Sequence, residues 1–131
     1  MVVPVKWNFS LFVDGGQSLA LSDKIDADAY DKISITIKNG VVDQSVEVQP
    51  GDVNKVDFLC IKSDQYHIDA NQKLVYKVGN SAAEIALERA HVLIGNSLIA
   101  LFGEAPKTLK FSNSTGKDVN IDIHIVRKAM S

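Results

Sequence analysis

Chemistry in this chain would have to come from three histidines, one cysteine and a scatter of carboxylates, so their spacing is weighed first. His67, His91 and His124 stand far apart. None belongs to an H-x-x-x-H or H-E-x-x-H pair that would set two imidazoles on one helical face around zinc. His124 has the most suggestive setting. Val119, Ile121, Ile123 and Ile125 alternate with Asn120, Asp122 and His124, so a strand here turns the polar three to one face. Neighbours two apart on such a face are about 7 Å apart, within reach of a shared metal ion for Asp122 and His124. A solvated sheet face produces the same row.

Nucleophiles are harder to find. Cys60 sits among Phe58, Leu59 and Ile61, which predicts a buried thiol acting as a small hydrophobe. There is no G-x-S-x-G elbow, no G-x-x-x-x-G-K-[ST] phosphate loop and no G-x-G-x-x-G fingerprint, and Gly95-Asn96-Ser97 is followed by nothing like Gly-Lys. Glu84 and Glu88 have the types of an acid–base pair, but nothing places them in a cleft, and two exposed residues on one face are the preferred reading. Asp26, Asp28 and Asp31 hint at a calcium loop without its central glycine, and the twelfth position from Asp26 is Ile37 where a bidentate Glu is needed. Tyr30 and Tyr66, both on expected loops, are the candidates for stacking against a carbohydrate or peptide, with the Asp26–Asp31 stretch beside Tyr30. Trp7 shares parity with Phe9 and Leu11 and reads as core. No cofactor is implied, and no catalytic activity is expected.

These residues need a frame, and 131 residues suffice for one domain, 1–131, with a core that requires no staples. A net charge of −2 and a pI near 5.9 argue against generic binding to nucleic acid or anionic membranes. Residues 1–69 carry 11 acids and 6 bases, residues 70–131 carry 5 and 8, an asymmetry that vanishes if the fold interleaves the halves. No apolar run is long enough for a membrane span and no secretion leader is visible, so the chain is expected to be cytoplasmic as synthesised. The triplets Asn8-Phe9-Ser10 and Asn113-Ser114-Thr115 fit the glycosylation pattern and carry little weight without such a leader.

Along the chain, apolar residues mostly recur every second position. Val5 to Val13 alternates, and a three-residue Asp14-Gly15-Gly16 loop pairs Leu11 with Leu19 and Phe9 with Leu21, with Gly16 left-handed. Asp23 to Asp31 reads as a polar connection. Asn39-Gly40 predicts a hairpin pairing Ile33 with Val46, Ile37 with Val42 and Lys32 with Glu47. Pro50-Gly51 ends that strand. Val56 to Lys62, apolar on both faces, reads as a central strand, and Lys73 to Val78 as another.

Ser81 to Phe102 is ambiguous. Ser81 to Glu84 matches a capping box, but Gly79-Asn80 favours a tight turn that pairs Leu74 with Ile85 and Tyr76 with Ala83, and strand is preferred over helix for 83–88. A strand at Val92 to Ile94 and one further short element near Leu98 to Phe102 follow. Last, a Ser114-Thr115-Gly116 loop predicts a hairpin with Phe111 opposite Val119 and Leu109 opposite Ile121.

Together this predicts an all-β antiparallel β-sandwich or jelly roll of about 8–10 short strands, with one short helix allowed within 82–102. The functional expectation is a non-catalytic structural or assembly protein that forms homo-oligomers, as in a particle, appendage or virion. A carbohydrate- or peptide-binding module is the alternative. A sandwich enzyme of cupin-like type, metal-dependent through His124 and Asp122, is the third option.

Overall fold

In a computed structural model, which describes residues 3–48, 56–103 and 106–128, the chain is an antiparallel β-sandwich. Its strands are β1 (Val3–Phe12), β2 (Ser18–Ile37), β3 (Gln44–Glu47), β4 (Val56–Ser63), β5 (Leu74–Val78), β6 (Ile85–Ala86), β7 (His91–Ile94), β8 (Thr108–Asn113) and β9 (Val119–Lys128). One sheet runs β1-β2-β9-β4-β7 and the other β3-β8-β5-β6. The antiparallel pairs β2–β9, β3–β8, β4–β7 and β5–β6 are nested one inside the next, as if a long hairpin had been rolled up. That is a jelly roll, with β1 added outside it. Early and late strands interleave, which mixes the two charge-biased halves of the chain.

Strand parity builds the core. Ile121, Ile123 and Ile125 of β9 with Leu59 and Ile61 of β4 face Leu109 and Phe111 of β8 with Leu74, Tyr76 and Val78 of β5, all buried to within 1%. The short helix α1 (Asn96–Ile99) and the 3-10 turn Ala100–Phe102 pack Ile99 and Phe102 against the same core. Of the strand expected over 83–88 only Ile85–Ala86 forms, two residues out of the expected register: Tyr76 lies opposite Ile85, and the Leu87 N–H donates to the Leu74 carbonyl at 2.9 Å.

Both long hairpins expected from turn signals are instead corners between sheets. β2 pairs with β9 rather than β3, so Lys32 faces His124 and not Glu47. β8 pairs with β3 and β5, so Phe111 lies opposite Gln44 and Tyr76, not Val119. Gly40 and Gly116 do adopt the left-handed backbone that their turns require, φ 90° and 92°. A glycine corner serves either connection, and the choice is made by distant partners. The two corners meet: Asn39 Oδ1 accepts from the Gly116 N–H, and the Gly40 N–H donates to the Asn113 carbonyl. Pro50-Gly51 lies outside the described residues.

Asp23 to Asp31, expected as a connection, lies wholly within β2. Its first half, Ser18 to Ala27, pairs with β1 in the register expected from the Asp14-Gly15-Gly16 loop, Leu11 opposite Leu19 and Phe9 opposite Leu21. In that loop Gly15, at φ 72°, takes the left-handed position instead of Gly16. The second half of β2, from Ala27, pairs with β9. The hairpin β1–β2 is therefore a two-stranded arm running out of the larger sheet.

Candidate functional site

A β-bulge sets where the arm points its apolar row. Ala27 pairs with Lys128 and Ala29 with Arg127, so Asp28 is an extra residue and the parity of β2 reverses across it. Beyond the bulge Ile33, Ile35 and Ile37 face the core, whereas before it the odd row Leu19, Leu21, Asp23, Ile25 and Ala27 faces the outer surface of the larger sheet. Ile25 and Ala27 bury there against Val126, with Val5, Trp7 and Phe58 packed around them.

Past that small cluster nothing in the described chain covers the arm. Phe9 is 50% exposed, Leu11 and Leu19 47%, Leu21 50% and Phe12, near the tip, 79%. From Asn8 to Ser22 the only charged residue is Asp14. At the arm's base the row runs into an open hollow of about 490 Å³ lined by Val3, Val5, Trp7, Tyr30, Phe58, Cys60, His124 and Val126 among others. The arm and the hollow form one strip, apolar except for Asp23 opposite Trp7.

The sequence-derived candidates divide between the two sides of the larger sheet. Tyr30 and His124, proposed for separate roles, are in contact: the Tyr30 hydroxyl and His124 Nδ1 lie 2.5 Å apart, and both line the hollow. Burial, helped by the charges of Lys32 and Lys62 and opposed by Asp122, holds the His124 pKa below its usual value. Asp122 shares this outer face, where its carboxylate accepts from Ser34 Oγ at 2.7 Å; that bond is the main cause of its lowered pKa. Asn120 bonds Thr36 and Asp64. Each polar side chain of the row thus has a protein partner. Among the described residues no group of three or more metal-ligating side chains gathers, and Lys32 and Lys62 would oppose a cation beside His124.

Tyr66 is elsewhere. It packs half-buried against the inter-sheet core, its hydroxyl accepting from the Ser63 N–H, so it does not join Tyr30 in a common site. Cys60 is half-buried rather than sealed, and burial raises its pKa. Glu84 and Glu88 are both exposed.

Three residues have structural roles that the sequence reading did not assign. Asn113, inside a glycosylation-type triplet, is buried with every side-chain bond made. Its Nδ2 donates to the carbonyls of Ile37 and Lys117, and its Oδ1 accepts from the N–H and hydroxyl of Thr115. His91 Nδ1 lies 2.7 Å from the hydroxyl of buried Tyr76, giving that phenol a partner within the core. His67 Nδ1 accepts from the Leu74 N–H.

Among the described residues no helix is long and apolar enough to cross a membrane. Comparison with protein-family models, with curated proteins and with solved structures finds no match.

Proposed function

We propose that this protein is a non-catalytic structural component that self-associates through the β1–β2 arm. The observation that supports this reading is the arm's uncovered apolar row. A two-stranded ribbon with an apolar face is marginal in water by itself, and an apolar patch of this extent marks an interaction surface. Among the described residues neither outer edge of the arm pairs with a further strand, which leaves backbone groups that a neighbour can satisfy. Self-association over a range of concentrations is measured by light scattering, comparing the wild type with a Phe9→Ser/Leu21→Ser double variant. The expected result is an oligomer that the variant loses while keeping its fold; a wild type that stays monomeric into the high micromolar range overturns the reading.

A second reading, a small ligand-binding module, draws on the hollow at the arm's base. An apolar cavity with Tyr30 and His124 as its polar groups has the make-up of a ligand site. Quenching of Trp7 emission by glycans or peptides supports it, and flat titrations remove its basis.

A further inference from the structure

We infer that the hollow at the base of the arm is the seat of the arm tip from a second copy, in a two-fold dimer where each tip covers the other's hollow. This rests on the self-association proposed above and adds where the contact is made and with what symmetry.

Three observations carry it. One strip holds both halves of a contact, a projecting apolar tip (Phe9, Leu11, Leu19, Leu21) and an apolar hollow (Val5, Trp7, Tyr30, Phe58). Six residues separate Val5 from Leu11, about 20 Å along a strand. A two-fold axis through the middle of the arm therefore lays tip on base and base on tip, an isologous contact that closes on itself.

Area is the second. Val3, Phe9, Leu11, Val13, Leu19, Leu21 and Tyr30 are each 45–56% exposed. Together they present on the order of 600 Å², what each partner contributes at the small end of specific interfaces. Charge is the third. The tip's single charge is Asp14, while the base carries both signs: Lys6 lines the hollow and Lys32 and Lys62 flank it, with Asp23 opposite Trp7, Asp26 opposite Pro4 and Asp122 among them. An antiparallel pair of arms brings each Asp14 near lysines of its partner.

The single tryptophan and the single cysteine both line the hollow and report on its occupant. Thiol labelling of Cys60 and Trp7 emission are followed from dilute to concentrated protein, alongside light scattering. The expected result is dimerisation with labelling slowed about tenfold and Trp7 emission shifted to the blue, as expected where the occupied state hides the reacting group. Leu11→Asp on the tip and Tyr30→Asp in the hollow should each abolish both changes, with circular dichroism showing that the fold survives. In a Leu11→Cys variant a short bismaleimide should join the tip to Cys60 of the other chain, whereas Lys117→Cys at the distant corner should give no such product. A dimer in which Cys60 labels at the dilute rate, Trp7 emission is constant and no tip cross-link forms overturns the seat but leaves self-association standing. A strict monomer overturns both.

Discussion

The two halves of β2 follow the same alternation and meet different fates. From Ile33 to Ile37 the odd residues face a second sheet and complete the inter-sheet core. From Leu19 to Ala27 the odd residues look outward, and only Ile25 and Ala27 find cover. What separates them is one extra residue at the bulge, because a shift of one in a period of two exchanges the faces of everything beyond it. Apolar alternation therefore marks a face to be covered without saying what covers it. In the body the cover is another part of the same chain; in the arm the described chain supplies none.

The largest test of this contrast is a pair of phenylalanine truncations. Phe111, buried on β8 between the sheets and tilted against the Tyr76 ring, should cost about 3–5 kcal/mol on change to Ala, the range for emptying a packed aromatic site. Phe9→Ala should change monomer stability by no more than about 0.5 kcal/mol, as is usual for an exposed position. Denaturant unfolding of both variants at low protein concentration measures the difference, and similar costs would mean that the arm is packed after all.

Next in size is the corner clamp. Removing the Asn113 side chain by Asn113→Ala takes the Nδ2 donor from the Ile37 carbonyl and the Oδ1 acceptor from the Thr115 N–H, while the Thr115 hydroxyl and the Lys117 carbonyl keep each other at 3.1 Å, a loss of about 1–3 kcal/mol. Thermal unfolding reads it. The corresponding change on the arm, Asn8→Ala at an exposed position, should be nearly silent.

Deleting Asp28 is the direct way to break the contrast. Without the extra residue the arm's odd row would turn to the side that Ile33 and Ile35 occupy, and Ile25 and Ala27 would leave Val126. The expected cost to the body is about 1–2 kcal/mol for that small cluster, with self-association abolished. Calorimetry and light scattering on the same sample separate the effects. An unchanged oligomer would show that the arm's apolar row is not the contact.

Legibility followed the same division. Alternation alone identified the inward residues of β9 and β5 and the Leu11–Leu19 register of the arm, because these depend on local parity and turn length. Which strand neighbours which was illegible at Asn39-Gly40 and Ser114–Gly116. Glycines with left-handed backbone suit a hairpin and a sheet-to-sheet corner equally, and nested partners up to about a hundred residues apart made the choice. Asp23 to Asp31 looked like a loop because it is polar, yet one face of its first part belongs to an arm and the bulge hides its period. Tyr30 and His124 were each visible as residues with chemistry. Their contact was not, since it needed β2 beside β9 and the parity reversal between them.

The smallest effects concern the two Tyr–His pairs, one on each side of the larger sheet's contrast. Tyr76–His91 is held within the core and Tyr30–His124 lies over the hollow. Burial lowers the pKa of His91, with Glu88 opposing, and burial also leads in lowering that of His124. A histidine with a lowered folded pKa binds its proton more readily when unfolded, so its contribution to stability is complete above the usual 6.5 and declines as pH falls below it. Asp64 and Asp122 have lowered values too, but their contribution fades only below about the usual 3.8, a separate window. At His91 there is a local reason for the loss. Protonation turns Nδ1 from a possible acceptor into a donor facing the Tyr76 hydroxyl, whose own proton then needs a new acceptor inside the core. His91→Asn retains an acceptor without the titration and should flatten the fall in thermal stability between pH 6.5 and 5. His124→Asn should leave that monomer profile closer to wild type and act instead on association, since a docked tip would strip further water from a ring whose burial already disfavours the charged form. If acid weakens association equally in wild type and His124→Asn, His124 is not the group whose protonation acts on the contact.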